Sequence, residues 1–448
     1  MRQVAIIGAG FSGALLAINL LRYDGVRAIL IERRSEAGRG TAYSTAHPEH
    51  LLNVRAANMS AFPDQPDHFV HWLQARTGLD GSNFAPRRLY GDYLEEMLRD
   101  AERAAPHRLR IIRGDAVDVE TRGPVARVKL ADGGSVDAEH VVLAIGNLPP
   151  GRPGELTGLD LDAPCYVEDP WQGDLGAGLT ASDTVLVLGT GLTMVDVVLS
   201  LVARGFEGPI VALSRRGLIP HAHADGLPTA ERRERPPVRP SSLVRALRKR
   251  SREVPWRAAI DELRPYTADL WRAMSVHERG RFLRHLRPWW DVHRHRIAPG
   301  VAAKLDSLRQ SGRLTIIAGK IETATRDGSG LSFRVRVRGG EAIVEQRAAR
   351  LINATGPQGA LARAHEPILR SLRDRGVLRE DPLGIGIDVD QDTRAIDSDG
   401  RTSPALHVIG PMTRGAFWEI VAVPDIRRQC WSLARRLSRE HWVEGTGL

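Results

Sequence analysis

The sequence predicts an α/β fold with two related domains, and three observations lead to that prediction. A glycine-rich turn stands twice between a β-strand pattern and an apolar helix pattern, at 8–13 and at 189–196. A similar block of strand, hairpin and apolar strand follows each turn. The composition, with 44 glycines in 448 residues and 42% hydrophobic residues, is typical of a globular protein with many tight turns. The length corresponds to two or three hydrophobic cores.

The first glycine-rich turn has the spacing of a dinucleotide-binding site. Its strand, turn, helix and second strand are expected at 4–7, 8–13, 14–22 and 28–31. Gly8 permits a tight turn, Gly10 lets backbone N–H groups approach a pyrophosphate, and Gly13 lets the helix pack close to the strand. Glu32 stands 19 residues after Gly13, where it is placed to accept hydrogen bonds from a ribose diol. We therefore predict a Rossmann-like domain that binds FAD.

The second turn is a looser copy with different chemistry at the end of its second strand. Gly189 and Gly191 match the first two glycines, Thr193 opens the following helix, and the third glycine is missing. Ser214, Arg215 and Arg216 stand where the first copy has Glu32. An acid there repels a phosphate, whereas arginines bind a 2′-phosphate through charge-assisted hydrogen bonds. The second site is thus predicted to bind NADPH rather than NADH; the alternative is that both are ordinary loop arginines.

The blocks behind the two turns indicate an internal duplication. Residues 108–146 and 313–356 each have the pattern of a strand, a hairpin and an apolar strand that ends at a glycine. The predicted architecture is three-layer ββα in both domains, with the NADPH domain inserted in the FAD domain and a helical insertion rich in Pro, Arg, Trp and His. The predicted boundaries are 1–160 and 351–448 for the FAD domain, 161–220 and 311–350 for the NADPH domain, and 221–310 for the insertion.

Composition and charge exclude several other classes of protein. The formal net charge is +9, but no recognition motif accompanies the basic residues, so no nucleic-acid partner is expected. No apolar stretch reaches the roughly 18 residues that a membrane span needs. The chain runs directly into a strand pattern without a leader, which predicts a cytoplasmic location. The two cysteines, Cys165 and Cys430, form no CxxC motif, which argues against flavoenzymes that reduce a neighbouring disulfide.

Several motifs together point to a family. They are GAGFSG at 8–13, RGTAYS at 39–44, LLNVRAANMSAFPD at 51–64, PRRLYGDYL at 86–94, GTGLTMVD at 189–196, RFLRHLRPWWDVHRHRIAP at 281–299, NATGP at 353–357 and GAFWEIVAVPDIRRQ at 415–429. On these motifs, essentially the whole chain resembles the bacterial FAD/NAD(P)-binding protein family related to the amino-acid N-hydroxylating flavin monooxygenases. Its characterised relatives include nitrosuccinate synthase, which N-oxygenates aspartate.

The resemblance implies which residues contact FAD. Asn58 and Met59 would lie beside the isoalloxazine ring, the backbone of Val117 at the adenine end, and Gly410 under the pyrophosphate. Residues 418–420 would lie near the pyrimidine side, where a helix N-terminus stabilises the negative charge of a reduced flavin. The predicted FAD set is Gly8, Gly10, Phe11, Ser12, Gly13, Glu32, Arg33, Asn58, Met59, Val117, Gly146, Gly410, Glu419 and Ile420, with Trp418 as a further flavin-proximal candidate.

One departure from the family pattern and several basic residues give information about the substrate. The ornithine and lysine hydroxylases carry a lysine shortly after the segment that matches Asn58–Ser60, where this sequence has FPD at 62–64, which argues against a substrate of that type. Candidates for binding a substrate carboxylate are Arg87, Arg88, Tyr90, His293, Arg294 and Arg414. The stretch 277–296 is either a helix that covers the domain junction or an anion-binding wall. No metal site is expected there, because residues two apart point to different faces of a helix.

The expected function is that of an FAD-containing, NADPH-dependent monooxygenase. By the resemblance, it would work through a C4a-hydroperoxyflavin and hydroxylate the nitrogen of an amino acid with an acidic side chain, with molecular oxygen as co-substrate. Such chemistry needs positioning and exclusion of water rather than a side-chain nucleophile, so no catalytic triad is predicted. Two alternatives stay open: an NADPH-dependent flavin reductase or dehydrogenase with an organic acceptor, and a non-enzymatic flavin-binding partner protein.

Overall fold

The structure is a computed structural model that describes residues 1–438, apart from residues 46, 123–124, 160, 162–163, 225–233 and 329. The strands are β1 (Arg2–Ile7), β2 (Val26–Glu32), β3 (Leu109–Arg113), β4 (Ala116–Arg122), β5 (Val125–Leu130), β6 (Ser135–Ala138), β7 (His140–Leu143), β8 (Tyr166–Val167), β9 (Val185–Leu188), β10 (Ile210–Ser214), β11 (Leu314–Asp327), β12 (Gly330–Val337), β13 (Ile343–Ala348), β14 (Arg350–Asn353), β15 (Arg394–Ile396) and β16 (Thr402–Val408). The α-helices are α1 (Phe11–Leu21), α2 (Gly40–Tyr43), α3 (His68–Thr77), α4 (Arg87–Ala104), α5 (Leu192–Ala203), α6 (Pro240–Arg250), α7 (Trp256–Asp261), α8 (Thr267–Ala273), α9 (Val276–His285), α10 (Arg287–Arg294), α11 (Pro299–Gln310), α12 (Pro367–Asp374) and α13 (Val423–Ser438). Over these residues, no helix combines the length and apolar character that a bilayer crossing requires.

The first sheet forms the centre of the amino-terminal domain. Its strand order is β15-β16-β7-β1-β2-β3, and all neighbours are parallel except β15 and β16. One face packs against α1, α4 and α13, and the other packs against α12 and the separate three-stranded sheet β4-β5-β6. Strands covered on both faces must be apolar throughout, which explains the VAII run of β1.

The second sheet repeats this layering with one difference. Its strand order is β13-β12-β11-β10-β9-β14-β8. The start of β11 pairs in parallel with β10, and the rest of this 14-residue strand pairs antiparallel with β12, with a register shift between Ile321 and Thr323. The hairpin packs over one face of the sheet, and α5 and α11 cover the other face. The predicted α/β fold with two three-layer domains is confirmed, although the second hairpin is continuous with its sheet.

The helical insertion is smaller than the sequence suggests. Helices α6–α10 connect the second domain to a cluster of Trp271, Phe282 and Trp418, of which Trp418 comes from the carboxyl-terminal segment. Helix α11 falls inside the predicted 221–310 segment but packs on the second sheet through Val301, Leu305 and their neighbours. Strand β14 also lies in the second sheet, so the boundary predicted between 350 and 351 falls within a strand. The reason is that a short apolar segment does not reveal which of two sheets it joins.

Candidate active-site cleft

The first glycine-rich turn lies at the carboxyl end of β1 and leads into α1. Gly8 has φ +98°, and an added Cβ would lie 2.5 Å from the carbonyl oxygen of Ala144. A Cβ at Gly13 would lie 1.9 Å from the carbonyl oxygen of Gly8, so α1 approaches the turn as closely as only glycine allows. No side chain caps the start of α1, which leaves its N–H groups available to a phosphate. The turn therefore fits a pyrophosphate.

Glu32 stands beside this turn at the end of β2. Its carboxylate accepts a hydrogen bond from the backbone N–H of Ala9 at 2.6 Å and another from the N–H of Arg34 at 2.9 Å. Each carboxylate oxygen has a further lone pair, so the group can still accept hydrogen bonds from a ligand. Glu32 and Arg33 both line the cleft described below. The arrangement fits a ribose diol.

The second turn has the same backbone plan around different side chains. Gly189 has φ +116°, and an added Cβ would lie 2.2 Å from the carbonyl oxygen of Ala354. Gly191 precedes α5, whose start likewise has no side-chain cap. Met194, fully buried, stands where the first copy has its third glycine. The second copy therefore lacks the glycine that lies against the first glycine's carbonyl oxygen in the first copy.

The two arginines after β10 have no partner in the described part of the chain. Ser214 ends the strand, and its hydroxyl lies 2.8 Å from the hydroxyl of Thr190 in the glycine-rich turn. Arg215 is exposed and Arg216 half-buried, and neither guanidinium pairs with a described acid. Both cations thus stand at the edge of the second turn, where a 2′-phosphate is predicted.

Both turns open to one large cleft with a volume of about 1560 Å³. The predicted site residues that line it are Gly8, Gly10, Phe11, Ser12, Glu32, Arg33, Asn58, Met59, Arg87, Gly146, Thr193, Arg294 and Arg414. The remaining predicted residues lie behind its wall or away from it: Gly13, Arg88, Tyr90, Val117, Gly189, Gly191, Arg215, Arg216, His293, Gly410, Trp418, Glu419 and Ile420. The sequence therefore locates the cleft but overstates which side chains face it.

Two of the predicted FAD residues that do not line the cleft still lie next to it or to the first glycine-rich turn. Ala116 lines the cleft and is followed by Val117, so the backbone at this position lies next to the opening. Gly410 has φ +78°, and an added Cβ would lie 2.7 Å from the hydroxyl oxygen of Ser12 in α1. Gly410 thus lies against the helix that begins at the first turn, which fits a position under a pyrophosphate.

The side chains of Trp418 and Glu419 contact the helical insertion and none of residues 418–420 lines the cleft, so the proximity of this segment to the flavin stays a prediction. Trp418 stacks on Trp271 with ring centroids 4.7 Å apart. Glu419 is buried and accepts hydrogen bonds from Arg264 at 2.9 Å and from the indole of Trp290 at 3.0 Å. Ile420 belongs to the core of the first domain. The apolar and acidic side chains of this segment are thus occupied by the helical insertion and the core.

Three substrate candidates lie near the start of α4, and two of them, Arg87 and Tyr90, have structural roles. Arg87 lines the cleft, but its guanidinium forms two hydrogen bonds with the carboxylate of Asp196 on α5, at 2.9 and 3.1 Å. The pair joins the two domains, with 13% and 8% of the two side chains exposed. Arg88 is exposed, and Tyr90 lies fully buried in an aromatic cluster with Phe11. None of the three is free in the cleft to bind a substrate carboxylate.

Arg414 is the best-placed of the remaining substrate candidates. It lines the cleft, and its side chain forms no hydrogen bond or ion pair with any residue that the structure describes. Burial lowers the pKa of its guanidinium to about 10, with a further lowering from Arg287, and Glu419 and Asp291 oppose the shift. A buried cation without a partner is costly, so the site favours an anion in this part of the cleft.

Arg294 and His293 differ although they are adjacent. Arg294 lines the cleft, and its Nε lies 3.5 Å from a carboxylate oxygen of Glu419. Burial lowers the pKa of Arg294, and the negative charge of Glu419 opposes this. His293 points away from the cleft, with its ring 4.7 Å from His221 and its Nδ1 2.7 Å from the carbonyl oxygen of Trp289. His293 is therefore a packing residue and not a substrate ligand.

Two cleft residues escape the sequence analysis. Arg264 donates hydrogen bonds to both Glu419 and Asp425, and His295 follows Arg294 at the end of α10; both line the cleft. No local pattern marks Arg264, because its acidic partners lie more than a hundred residues away in the chain. His295 lies within the stretch 277–296, which the sequence analysis treats only as a whole. Among the described residues, no group of His, Cys, Asp and Glu is arranged to hold a metal ion.

Comparisons with known proteins agree with this geometry. Residues 5–148 match the model of an FAD-NAD(P)-binding family. Residues 5–148 form an FAD-NAD(P)-binding domain. Over 98% of its length, the chain superimposes on ornithine hydroxylase from Pseudomonas aeruginosa (99% of that chain, TM-score 0.67, 15% identity) and on L-lysine 6-monooxygenase from Pseudomonas syringae (99%, 0.66, 18%). It also superimposes on the ornithine N-hydroxylase from Kutzneria sp. 744, whose structure holds reduced FAD, NADP⁺ and L-ornithine (99%, 0.65, 15%). A search of curated proteins finds none that matches.

These similarities define the fold of the whole chain. The predicted resemblance to FAD/NAD(P)-binding proteins related to N-hydroxylating monooxygenases is confirmed, since the domain match and the matched structures both have this character. The matched enzymes named above act on ornithine or lysine, which are basic. The expectation of an acidic substrate for this chain finds no support among them. The residues of the FAD-NAD(P)-binding domain fit the cofactor, because its turn can accept a pyrophosphate and its Glu32 a ribose.

Proposed function

We propose that the protein is an FAD-dependent monooxygenase that uses NADPH and hydroxylates the nitrogen of a small amine. The observation that carries the proposal is the single cleft to which both glycine-rich turns open. A flavin held by the first turn and a nicotinamide held by the second would share that space. The fold agrees over nearly the whole chain with that of ornithine and lysine hydroxylases.

The overall reaction balances without a further reductant. An ammonium substrate R–NH₃⁺, NADPH and O₂ give R–NHOH, NADP⁺ and water. When bound, FAD supplies the hydride acceptor and the site of oxygen activation. The residues of the chain bind the two cofactors, orient the amine and exclude water from the cleft.

Each glycine-rich turn and the residues around it would bind one of the two cofactors. FAD would be held by the N–H groups at the start of α1, by Glu32 and by the segment at Asn58 and Met59. NADPH would be held by the start of α5, with its 2′-phosphate between Arg215 and Arg216. Two unpaired cations at that position favour a phosphorylated ribose over a bare one.

For the substrate, we propose an amino acid with an acidic side chain. The wall of the cleft beyond Asn58 contains four arginines (Arg264, Arg294, Arg296 and Arg414) and three acids that face them (Asp261, Glu419 and Asp425). Arg296 is fully paired with Asp261, and Arg264 is paired with the other two acids. One positive charge is left over. An acidic amino acid has one net negative charge and complements it, whereas ornithine or lysine would add a second positive charge.

The test measures the stoichiometry of NADPH, oxygen and hydroxylated product with purified, FAD-loaded protein. NADPH oxidation, oxygen uptake and hydrogen peroxide are measured with L-aspartate, L-glutamate, L-ornithine or L-lysine as the amine. We expect an acidic amino acid to bring NADPH, oxygen and hydroxylamine product to a ratio near one, with little peroxide. Equal rates of NADPH oxidation with and without oxygen would instead identify a reductase that uses an organic acceptor. Coupled turnover of ornithine or lysine alone would contradict the acidic substrate and leave the monooxygenase intact.

A further inference from the structure

We propose that His295 is the general base that removes the ammonium proton of the substrate before its nitrogen is oxygenated. The inference rests on the proposed function, because only an N-oxygenation needs the lone pair of the amine. An amino acid reaches the cleft as an ammonium ion, whose nitrogen has no lone pair. A group in the wall must therefore accept a proton. The arginines of the wall cannot, and its three acids, Asp261, Glu419 and Asp425, are already paired with arginines.

The imidazole of His295 is free to do so. It lines the cleft, and within the described residues it forms no hydrogen bond, ion pair or ring contact. The other histidines near this wall are occupied. His293 bonds to a carbonyl oxygen, and His223 bonds through Nε2 to the carbonyl oxygen of Asn53 at 2.9 Å. An unpartnered ring on the surface of a cleft is available to a ligand.

The surroundings keep this imidazole neutral. Burial is the largest influence and lowers the pKa of His295. Two carboxylates that face it, Glu419 and Asp291, raise the pKa, and two guanidinium groups, Arg294 and Arg264, lower it. A neutral imidazole at neutral pH can accept a proton, and the two carboxylates stabilise the imidazolium that results.

A chain of contacts connects this ring to the predicted flavin segment. His295 is next to Arg294, which lies against Glu419. Glu419 shares Arg264 with Asp425, which is in the first turn of α13. In the same helix, Arg427 donates a hydrogen bond to the carbonyl oxygen of Ser60 at 2.7 Å. His295, Asn58 and Met59 all line the cleft, and this chain of contacts through α13 connects the two parts of its wall.

The step is a simple proton transfer. One N–H bond of R–NH₃⁺ breaks, its electron pair stays on nitrogen, and the proton binds to a ring nitrogen of His295. The neutral R–NH₂ then has the lone pair that forms the new N–O bond. The reaction above consumes this same proton in forming water, so the imidazolium returns to its neutral state within one turnover.

The experiment compares His295→Gln with His293→Gln in the FAD-loaded protein. The two residues are the same type, two positions apart, and only the first faces the cleft. With L-aspartate as the probe, we expect His295→Gln to lower kcat/KM at pH 7 by roughly 100-fold or more, the effect typical of a lost general base. The rate that remains in His295→Gln should rise with pH until the ammonium group of the substrate loses its proton to solvent. The acidic limb of the wild-type profile should disappear in His295→Gln and persist in His293→Gln.

Two measurements do not depend on turnover. The rate at which NADPH reduces the flavin without oxygen should be equal in both variants and in the wild type. In histidine-labelled protein, the NMR signal that is missing in His295→Gln should titrate below the ordinary histidine pKa and shift when L-aspartate or L-lysine is added. A wild-type acidic limb in His295→Gln, or a signal that no amine moves, would overturn the assignment. Failure of NADPH to reduce the wild-type flavin would instead refute the proposed function, while an amine-sensitive signal would still place an amine at His295.

Discussion

The two glycine-rich turns share one backbone geometry, and we propose that they bind two different dinucleotides. In each, the N–H of the first glycine donates to a carbonyl oxygen of the second strand at 2.8 Å, from Gly8 to Ile31 and from Gly189 to Leu213. In each, the same glycine lies against the carbonyl of an Ala-x-Gly strand end, formed by residues 144–146 and 354–356. The duplication thus preserves the geometry that brings backbone N–H groups toward a phosphate.

The differences lie in a few side chains at equivalent positions. Glu32 of the first copy bonds to the turn through its carboxylate, and Ser214 of the second bonds through its hydroxyl. Two arginines follow in both copies, Arg33 and Arg34 in the first and Arg215 and Arg216 in the second, so the acid Glu32 is what distinguishes the first strand end from the second. Gly13 allows close approach of the helix in the first copy, and the buried Met194 takes its place in the second. The comparison shows that the backbone conformation is kept while the side chains around it change, which is the pattern expected if the backbone binds phosphate and the side chains select the rest of the dinucleotide.

The largest expected effect is the loss of the first turn. Gly13→Ala places a Cβ 1.9 Å from the carbonyl oxygen of Gly8, so α1 must move. We expect a colourless protein with stability reduced by about 3 kcal/mol or more. Gly191→Ala is the matched control in the second turn, since no atom lies within 4 Å of the added Cβ. FAD content by absorbance and unfolding by urea check both variants; equal FAD content would show that the two turns tolerate a Cβ equally.

The next effect concerns the ion pair that joins the two domains. Asp196→Ala leaves the half-buried guanidinium of Arg87 without its carboxylate, which costs about 3–5 kcal/mol for a buried pair. The double variant Arg87→Met/Asp196→Leu removes both charges and should recover most of this loss. Urea unfolding of the wild type, Asp196→Ala and the double variant gives the two stability losses to be compared. Equal losses in the single and double variants would mean that the pair does not hold the domains together.

A smaller effect tests the ligand of the second turn. Arg215→Ala/Arg216→Ala removes two charge-assisted contacts of about 1.5 kcal/mol each, so the KM for NADPH should rise roughly 100-fold. The KM for NADH should stay nearly the same, because NADH has no 2′-phosphate. Steady-state kinetics with each nucleotide measure the ratio. A parallel rise for both would place the phosphate elsewhere.

The smallest expected effect is a difference between the two domains in how their stability depends on pH. His407 is buried in the first sheet, and burial, with help from His140, lowers its pKa to about 3. The unfolded chain binds this proton below a pKa of about 6.5, so the unfolded state gains it first as the pH falls. The stability is therefore fully present above that pH and decreases toward pH 3, by about 2 kcal/mol between pH 7 and pH 5.

The second sheet has no histidine in its strands, so acid should affect the first domain selectively. FAD fluorescence reports release from the first domain as the pH is lowered in dilute urea. His407→Leu should flatten this dependence. An unchanged pH dependence in His407→Leu would assign acid sensitivity to another group.

Much of the cofactor-binding half of the cleft was predictable, and much of the substrate half was not. Gly8, Gly10, Ser12 and Glu32 line the cleft as the spacing predicts. Glu419 was predicted to contact FAD and Tyr90 to contact the substrate, and both side chains are buried among other protein groups. The extent of the FAD and NADPH domains and the cytoplasmic location stay predictions. Sequence reasoning succeeded where one short segment contains the whole binding motif, as in the glycine-rich turns. It failed where a side chain can pair with any of several distant residues.

By itself, the sequence determined the two glycine-rich turns, their order and the acid or arginines behind them. These features depend on local backbone conformation, which a few consecutive residues dictate. Only the tertiary structure decided that Arg87 pairs with Asp196, 109 residues away, and that Arg264 pairs with Glu419, 155 residues away. It also left Arg414 and His295 free in the cleft. The physical reason is that a charged side chain takes its role from the nearest opposite charge in space, and folding alone brings such distant groups together.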